Sequence, residues 1–158
     1  MYLELLWHDS RLMHNGSEIV VLNDKTEISK LWLPDIYFPN IKEPRSSYEL
    51  HPDRYVQIQP SGVIYYNYRV GGSFSCQQSL QWYPIDHQEC FVKMTSFAHN
   101  TSSLILRWSA GNQSLTINAD VTLPEMDIHG FYAKYCDANY TTTVTKKFLN
   151  QTDGEFIF

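Results

Sequence analysis

Apolar and polar positions alternate along most of this chain, and no helical periodicity runs through it, so the pattern predicts short strands joined by polar turns. Tyr2 to Trp7 is apolar and aromatic except for Glu4, and it runs into His8-Asp9-Ser10-Arg11-Leu12, a strand followed by a polar turn. Asn15-Gly16 signals another turn. Glu18 to Val21 is a short apolar run, and Thr26 to Leu31 reads either as one helical turn capped by Thr26 or as a bend. Two prolines in Trp32-Leu-Pro-Asp-Ile-Tyr-Phe-Pro-Asn40 exclude a central strand or a helix interior, leaving an extended, turning segment. Within it, Trp32 and Phe38 read as core-filling side chains.

Tyr55 to Val70 predicts a hairpin around Gln59-Pro-Ser-Gly62, with Pro at the second turn position and Gly at the fourth. Period two places Val63, Tyr65, Asn67 and Arg69 on one face and Ile64, Tyr66, Tyr68 and Val70 on the other. Further on, Phe91 to Phe97 and Leu104 to Trp108 flank a polar tip at His99 to Ser103. Gln113 to Val121, Met126 to Tyr135 and Thr141 to Leu149 read as three more strands. Strands at such spacing, with turn clusters between them, predict an all-β sandwich.

Composition narrows the functional classes. The 158 residues fit one domain of 1–158 with a sizeable core, and aromatics at 15% favour strands. A net charge of −5 with no basic stripe argues against a nucleic-acid partner. No nucleophile elbow, phosphate-cradling glycine loop or zinc-protease motif is present, and the six histidines are scattered singly, so an enzyme is not expected. His87-x-Glu89 puts two possible ligands on one side of an extended segment, but a lone pair reads as a solvated edge; no metal and no cofactor are expected. Five Asn-x-Ser/Thr sequons, at Asn15, Asn100, Asn112, Asn139 and Asn150, point to glycosylated surface loops and an extracellular setting. No signal peptide opens the chain and no run approaches a membrane span, so the sequence reads as an excised fragment with no transmembrane segment of its own.

Cysteine spacing sharpens this picture. Cys76 and Cys90 bracket thirteen residues that include Trp82-Tyr-Pro-Ile-Asp86. If the chain is secreted, an oxidised pair would close a loop whose constraint is worth about 3 kcal/mol. Pro84 disfavours α geometry at Tyr83, and Asp86 is placed to bond local backbone donors, so the loop reads as a stiff, protruding knuckle. This stretch resembles the signature loop of the Cys-loop pentameric ligand-gated ion channels, an aromatic-Pro-x-Asp core between cysteines at this spacing. Other segments carry the same resemblance: Trp7-x-Asp9-x-Arg11-Leu12 is similar to the family's second strand and its exit. Trp32 to Asn40 resembles the first loop of its principal face, and Arg69, seven residues before Cys76, matches an arginine of the complementary face.

The resemblance implies an immunoglobulin-like sandwich of about ten strands, lacking the family's N-terminal helix, first strand and last strand. It also implies a small-molecule ligand held between identical or homologous subunits of a pentameric ring. The membrane would be reached through a missing C-terminal transmembrane domain, placing this domain on the extracellular side of the cell membrane. Tyr37, Thr95, Phe97 and His99 correspond to the principal face of the ligand site, and Tyr2, Glu4, Asn67 and Arg69 to the complementary face. Tyr83, Pro84 and Asp86 would act in coupling.

Departures from the family pattern carry information of their own. Amino-acid-gated chloride channels of this family carry an arginine three residues before the second-strand tryptophan, where it meets the ligand's carboxylate; here that position is Glu4. Thr95 stands where some relatives carry an amine-binding glutamate. An amine without a carboxylate, or a proton sensed by Glu4 and His99, fits this pattern better than glutamate, glycine or GABA. Cys136 resembles the first cysteine of a second disulfide found in several chloride-channel relatives, yet no cysteine follows near Gly154-Glu-Phe156. The expected function is therefore the ligand-binding domain of a ligand-gated, chloride-conducting channel subunit. Two alternatives are a secreted binding protein of the acetylcholine-binding-protein type, which would share the sandwich and aromatic box without a pore, and a carbohydrate-binding or adhesion sandwich.

Overall fold

A computed structural model describes residues 1–45, 54–76, 78–109, 114–118, 128–141 and 148–157. Strand β1 spans Tyr2–His8, β2 Val20–Leu22, β3 Ile36–Tyr37, β4 Ile41–Arg45 and β5 Arg54–Ile58. The order continues with β6 at Val63–Arg69, β7 at Gly71–Phe74, β8 at Phe91–Ser96, β9 at Tyr132–Thr141 and β10 at Phe148–Ile157. The one α-helical segment among the described residues is a single turn, α1, at Lys25–Ile28. Two four-stranded sheets, ordered β1-β6-β5-β2 and β3-β8-β10-β9, and a two-stranded β4-β7 ribbon make the fold all-β, as the alternating pattern predicts for the sandwich class. Within both larger sheets neighbouring strands run antiparallel. The chain groups into two compact units, one of Met1–Leu33 with Glu43–Ser73, the other of Pro34–Lys42 with Phe74–Phe158.

In the first unit the buried face follows the predicted parity. Ile64 and Tyr66 of β6 join Val56 and Ile58 of β5 and Ile28 of α1 in one cluster, against which Leu5, Trp7, Leu12, Leu22, Leu31, Leu33 and Tyr68 pack. Tyr66 and Tyr68 stack with ring centres 4.9 Å apart. Burial pushes the Tyr68 hydroxyl far above its ordinary range, with the neighbouring Tyr66 adding to the effect, so it stays a neutral phenol at any physiological pH. The helical turn at α1 is capped by Asp24, whose carboxylate accepts from the Thr26 N–H at 2.7 Å; the cap lies two residues before the Thr26 expected from the sequence. Trp32 departs further from expectation. It is 43% exposed, and it contributes an edge-to-face contact with Trp7 at 6.0 Å rather than filling the core.

The hairpin tip is held by its neighbour in the fold. Gly62 donates to the Gln59 carbonyl at 2.9 Å, closing the predicted four-residue turn, and adopts φ +81°, open to glycine without strain. Its carbonyl accepts from Asp9 at 2.9 Å, and the Pro60 carbonyl accepts from His14 at 3.2 Å, so the exit of β1 is pinned on this turn. Asp9 caps the 3-10 turn Ser10–Leu12, accepting from Arg11 through its backbone N–H at 3.0 Å and its guanidinium at 2.6–3.2 Å. Those Arg11 hydrogen bonds hold the Asp9 carboxyl down at about 2.

In the second unit Val92 and Met94 of β8 and Phe38 are buried, and Phe38 meets Phe74 edge to face at 5.9 Å, as its core-filling role predicts. The strand boundaries differ from the sequence reading here. The apolar pattern predicts strands at Met126 to Tyr135 and Thr141 to Leu149; among the described residues β9 runs from Tyr132 to Thr141 and β10 from Phe148 to Ile157, and most of the Thr141–Leu149 expectation lies outside the described residues. The two strands pair in register over ten residues each, from Ile157↔Tyr132 to Phe148↔Thr141, which carries β9 six residues past the predicted end at Tyr135. Leu104 to Trp108, expected as a strand, joins no sheet among the described residues. The Trp108 N–H donates to the Tyr135 hydroxyl at 2.7 Å instead of a ladder carbonyl. Ser114 to Asn118 carry no strand either, and the rest of the Gln113–Val121 expectation lies outside the described residues.

Candidate ligand-binding faces

On the first unit, register assembles the four side chains expected on a complementary face. β1 and β6 pair so that Tyr2 opposes Arg69 and Glu4 opposes Asn67. Period two then carries all four to the face opposite the buried Leu3, Ile64 and Tyr66. Tyr2 is 74% exposed, Glu4 and Arg69 are exposed, and Asn67 is half-buried. Glu4 also stands diagonal to Arg69, within reach of a long side chain in an antiparallel pair. From the other side, β5 places Tyr55 opposite Asn67 and Gln57 opposite Tyr65. Sequence reading gives Tyr55 no role, although its parity relative to the buried Val56 is an available signal.

On the second unit, Tyr37 and Phe97 are brought together as an edge-to-face pair with ring centres 5.7 Å apart. Pairing of β3 with β8 sets Ile36 opposite Ser96 and Tyr37 opposite Thr95, and Phe97 follows directly after the strand. Phe97 is 81% exposed, so this pair presents aromatic surface to solvent.

Asp35 builds the loop that carries Phe97. Its carboxylate accepts from the Ser96 hydroxyl at 2.5 Å and from the Ala98 N–H at 2.5 Å, and its carbonyl accepts from the Phe97 N–H at 3.3 Å. The Ser96 hydroxyl oxygen in turn accepts from the His99 N–H at 3.0 Å. Partial burial pushes the Asp35 carboxyl up, but the hydrogen bonds from Ser96 and Ala98, with the field of His99, outweigh it and hold the group below its ordinary value. In the sequence Asp35 is one letter of its motif with no role attached. Its significance comes from contacts more than 60 positions away, which no local pattern carries.

The other expected positions fall differently. Thr95 is fully buried, and its hydroxyl donates to the Ser96 carbonyl at 3.3 Å, so it lies beneath the exposed pair. His99 is half-buried on the same loop. Asn40 ties the end of the Trp32–Asn40 segment to β8: its amide donates to the Phe91 carbonyl at 2.7 Å, and its side-chain oxygen accepts from the Lys93 N–H at 3.0 Å. The Asn40 carbonyl also accepts from the Ser75 N–H at 2.9 Å, one residue before Cys76.

The cysteines of the knuckle are bridged, with Cα atoms 5.0 Å apart. Tyr83-Pro84 is a cis peptide. Gln88 clamps the loop across its width, accepting from the Ser79 N–H at 2.9 Å and donating to the Ser79 carbonyl at 3.0 Å, and it also donates to Asp86. The clamped loop leaves Leu80, Trp82, Tyr83 and Ile85 exposed, an apolar surface that includes Tyr83 of the expected coupling residues and is interleaved in sequence with the other two, Pro84 and Asp86. Of the sequons, Asn15 and Asn100 lie in turns or loops, and the Asn100 side chain accepts from the Ser102 N–H at 3.2 Å. Asn139 and Asn150 take directly opposed positions on β9 and β10, and Cys136 opposes Asp153. The side chains of Cys136, Asn139 and Asn150, and all of Asn112, lie outside the described residues.

Two antiparallel sheets, a cystine-closed Pro-x-Asp loop and exposed aromatic faces define the extracellular-domain class of the ligand-gated channels. The family described as "Neurotransmitter-gated ion-channel ligand binding domain" matches residues 1–155, and this chain belongs to it. It is 32% identical to the "Glycine receptor subunit beta-type 4" of Caenorhabditis elegans over 136 residues, 85% of this chain and 28% of that protein. It is 30% identical to the "Glutamate-gated chloride channel" of Drosophila melanogaster over 117 residues, 74% of this chain and 25% of that protein. The chain therefore spans about a quarter of the length of these relatives. They place it with the chloride-channel branch of the Cys-loop receptors, receptors and not enzymes.

Proposed function

We propose that this chain is the ligand-binding domain of a pentameric, chloride-conducting receptor subunit on the extracellular side of the membrane. Its preferred ligand is a small amine without a carboxylate, held between Tyr37 and Phe97 of one subunit and Tyr2, Glu4, Tyr55, Asn67 and Arg69 of the next. The observation that carries the ligand class is the register that sets exposed Glu4 across from Asn67 and diagonal to Arg69. A carboxylate at that position repels an acidic ligand group and offsets the attraction of Arg69, while it draws an ammonium. Exposed aromatic faces at Tyr2, Tyr37 and Phe97 supply the other half of such a site, about 0.5–2 kcal/mol per ring for a cation. The apolar tip of the Cys76–Cys90 loop supports a docking role towards a membrane domain, which a soluble binding protein would not need.

The test is current recording from the full-length subunit with matched ligand pairs, an amine and the amino acid that adds a carboxylate to it. The amine is expected to open an anion-selective pore at lower concentration, and Glu4→Arg is expected to reverse the preference. Equal potency of both ligands, or a preference unmoved by Glu4→Arg, would sink the ligand assignment. Cation-selective currents would sink the chloride assignment.

A further inference from the structure

Outside the ligand-binding faces, the second unit brings two histidines together from distant parts of the chain. His87 sits inside the cystine-closed loop and His129 in the segment leading into β9, and their ring centres are 6.4 Å apart with planes at 67°. We propose that His87 and His129 form a binding site for a borderline divalent transition-metal ion, zinc or a chemical equivalent. The site would be weak, completed by water, and would tie the loop to the start of β9.

The argument is one of geometry and ligand chemistry. Imidazole nitrogens bind zinc at about 2.0–2.1 Å, and at tetrahedral angles two rings sharing one ion have centres about 5 Å apart. The observed 6.4 Å is wider by an amount that a rotamer adjustment of two exposed side chains closes. Neutral imidazole suits zinc, copper and nickel, whereas calcium and magnesium prefer oxygen ligands, so the pair discriminates by chemistry.

The backbone that carries His87 is held while its side chain is free to adjust. His87 lies between Asp86 and Gln88, which bond to each other, and Gln88 is clamped to Ser79. From Asp86 to Cys90 the side chains alternate half-buried and exposed, which puts Glu89 on the same exposed side as His87 and adds a negative field beside the pair. No cluster of three or more His, Cys, Asp or Glu side chains able to hold a metal occurs among the described residues, so the ion keeps several waters.

Titration calorimetry of this chain with zinc chloride, with calcium chloride as a comparison, tests the site. One zinc per chain is expected, with calcium silent. His87→Ala and His129→Ala are each expected to weaken zinc at least tenfold, and His8→Ala to leave it unchanged. Circular dichroism without metal is expected to show each variant as folded as the parent. Absence of zinc binding to millimolar concentration, or binding that survives both substitutions in folded protein, would overturn the proposal.

Discussion

The Asp35 carboxylate and the Ser96 hydroxyl lie 2.5 Å apart, 61 positions distant in the chain, and this contact sets the loop that exposes Phe97. The same carboxylate holds the Ala98 N–H, while the Asp35 carbonyl takes the Phe97 N–H and the Ser96 hydroxyl takes that of His99, so Asp35 and Ser96 together organise the residues from Ser96 to His99. Removing it leaves a backbone donor and a hydroxyl without their partner, which costs about 1–3 kcal/mol. Asp35→Ala is therefore expected to lower stability by that amount in urea unfolding. It is also expected to weaken ligand binding at least tenfold, because Phe97 loses its support. Asp35→Asn, which keeps one acceptor, should do less of both.

Acid should expose the same group. Asp35 has a folded value below its unfolded one, so its contribution is present above the unfolded value, near 3.9, and is lost as pH falls through the folded value. The stability difference between the parent and Asp35→Asn is expected to be largest above about pH 5 and to shrink at lower pH. Chemical denaturation of both proteins between pH 6 and the acid limit of folding, about pH 3, measures it. A difference that grows towards acid would contradict the sign.

Phe97 separates binding from stability. Its ring is mostly exposed and touches Tyr37 edge to face, a contact worth about 0.5–1.5 kcal/mol. Phe97→Ala is expected to cost no more than that in unfolding free energy while reducing ligand affinity at least tenfold. A double-mutant cycle with Tyr37→Ala, read by both denaturation and ligand titration, checks each part.

Asn40 makes two part-buried hydrogen bonds to β8 through one amide. Asn40→Ala strands the Phe91 carbonyl and the Lys93 N–H, and a loss of about 1–3 kcal/mol is expected. Asn40→Asp retains the acceptor and loses the donor. Hydrogen exchange should therefore show the Lys93 amide still protected in the Asn40→Asp variant and exposed in the Asn40→Ala variant.

Gly62→Ala is expected to destabilise the first unit by about 1–2 kcal/mol from backbone conformation alone. A Cβ there would also lie 2.7 Å from the Asp9 carbonyl and 2.8 Å from Met13 Cγ, so the exit of β1 must shift. The melting temperature of the variant, compared with that of Ser61→Ala beside it, measures the effect.

Much of this was legible along the chain. Alternation alone assigned Val63, Tyr65, Asn67 and Arg69 to one face of β6 because a pleated strand turns successive side chains to opposite sides, and the sheet obeys it. Gln59-Pro-Ser-Gly62 announced its turn through the φ that proline fixes and the φ that glycine permits. The motif between Cys76 and Cys90 identified the family because its chemistry is confined to fifteen neighbouring positions.

What lay beyond the sequence depended on which strands pair, in which register, and which surfaces remain uncovered. Alternation puts Glu4 on a face but not opposite Asn67, and only the β1–β6 register joins Tyr2 with Arg69. Thr95 and Phe97 have the same parity, yet one is buried and the other open, because β8 ends between them and the chain turns onto Asp35. Trp32 looked like core and stayed 43% exposed, meeting Trp7 edge to face. Local sterics and patterning are written into adjacent residues, so the sequence alone determined β1, the β5–β6 hairpin, the faces of β6 and the turn. Long-range hydrogen bonds and register are agreements between distant segments, and those only the tertiary structure decided.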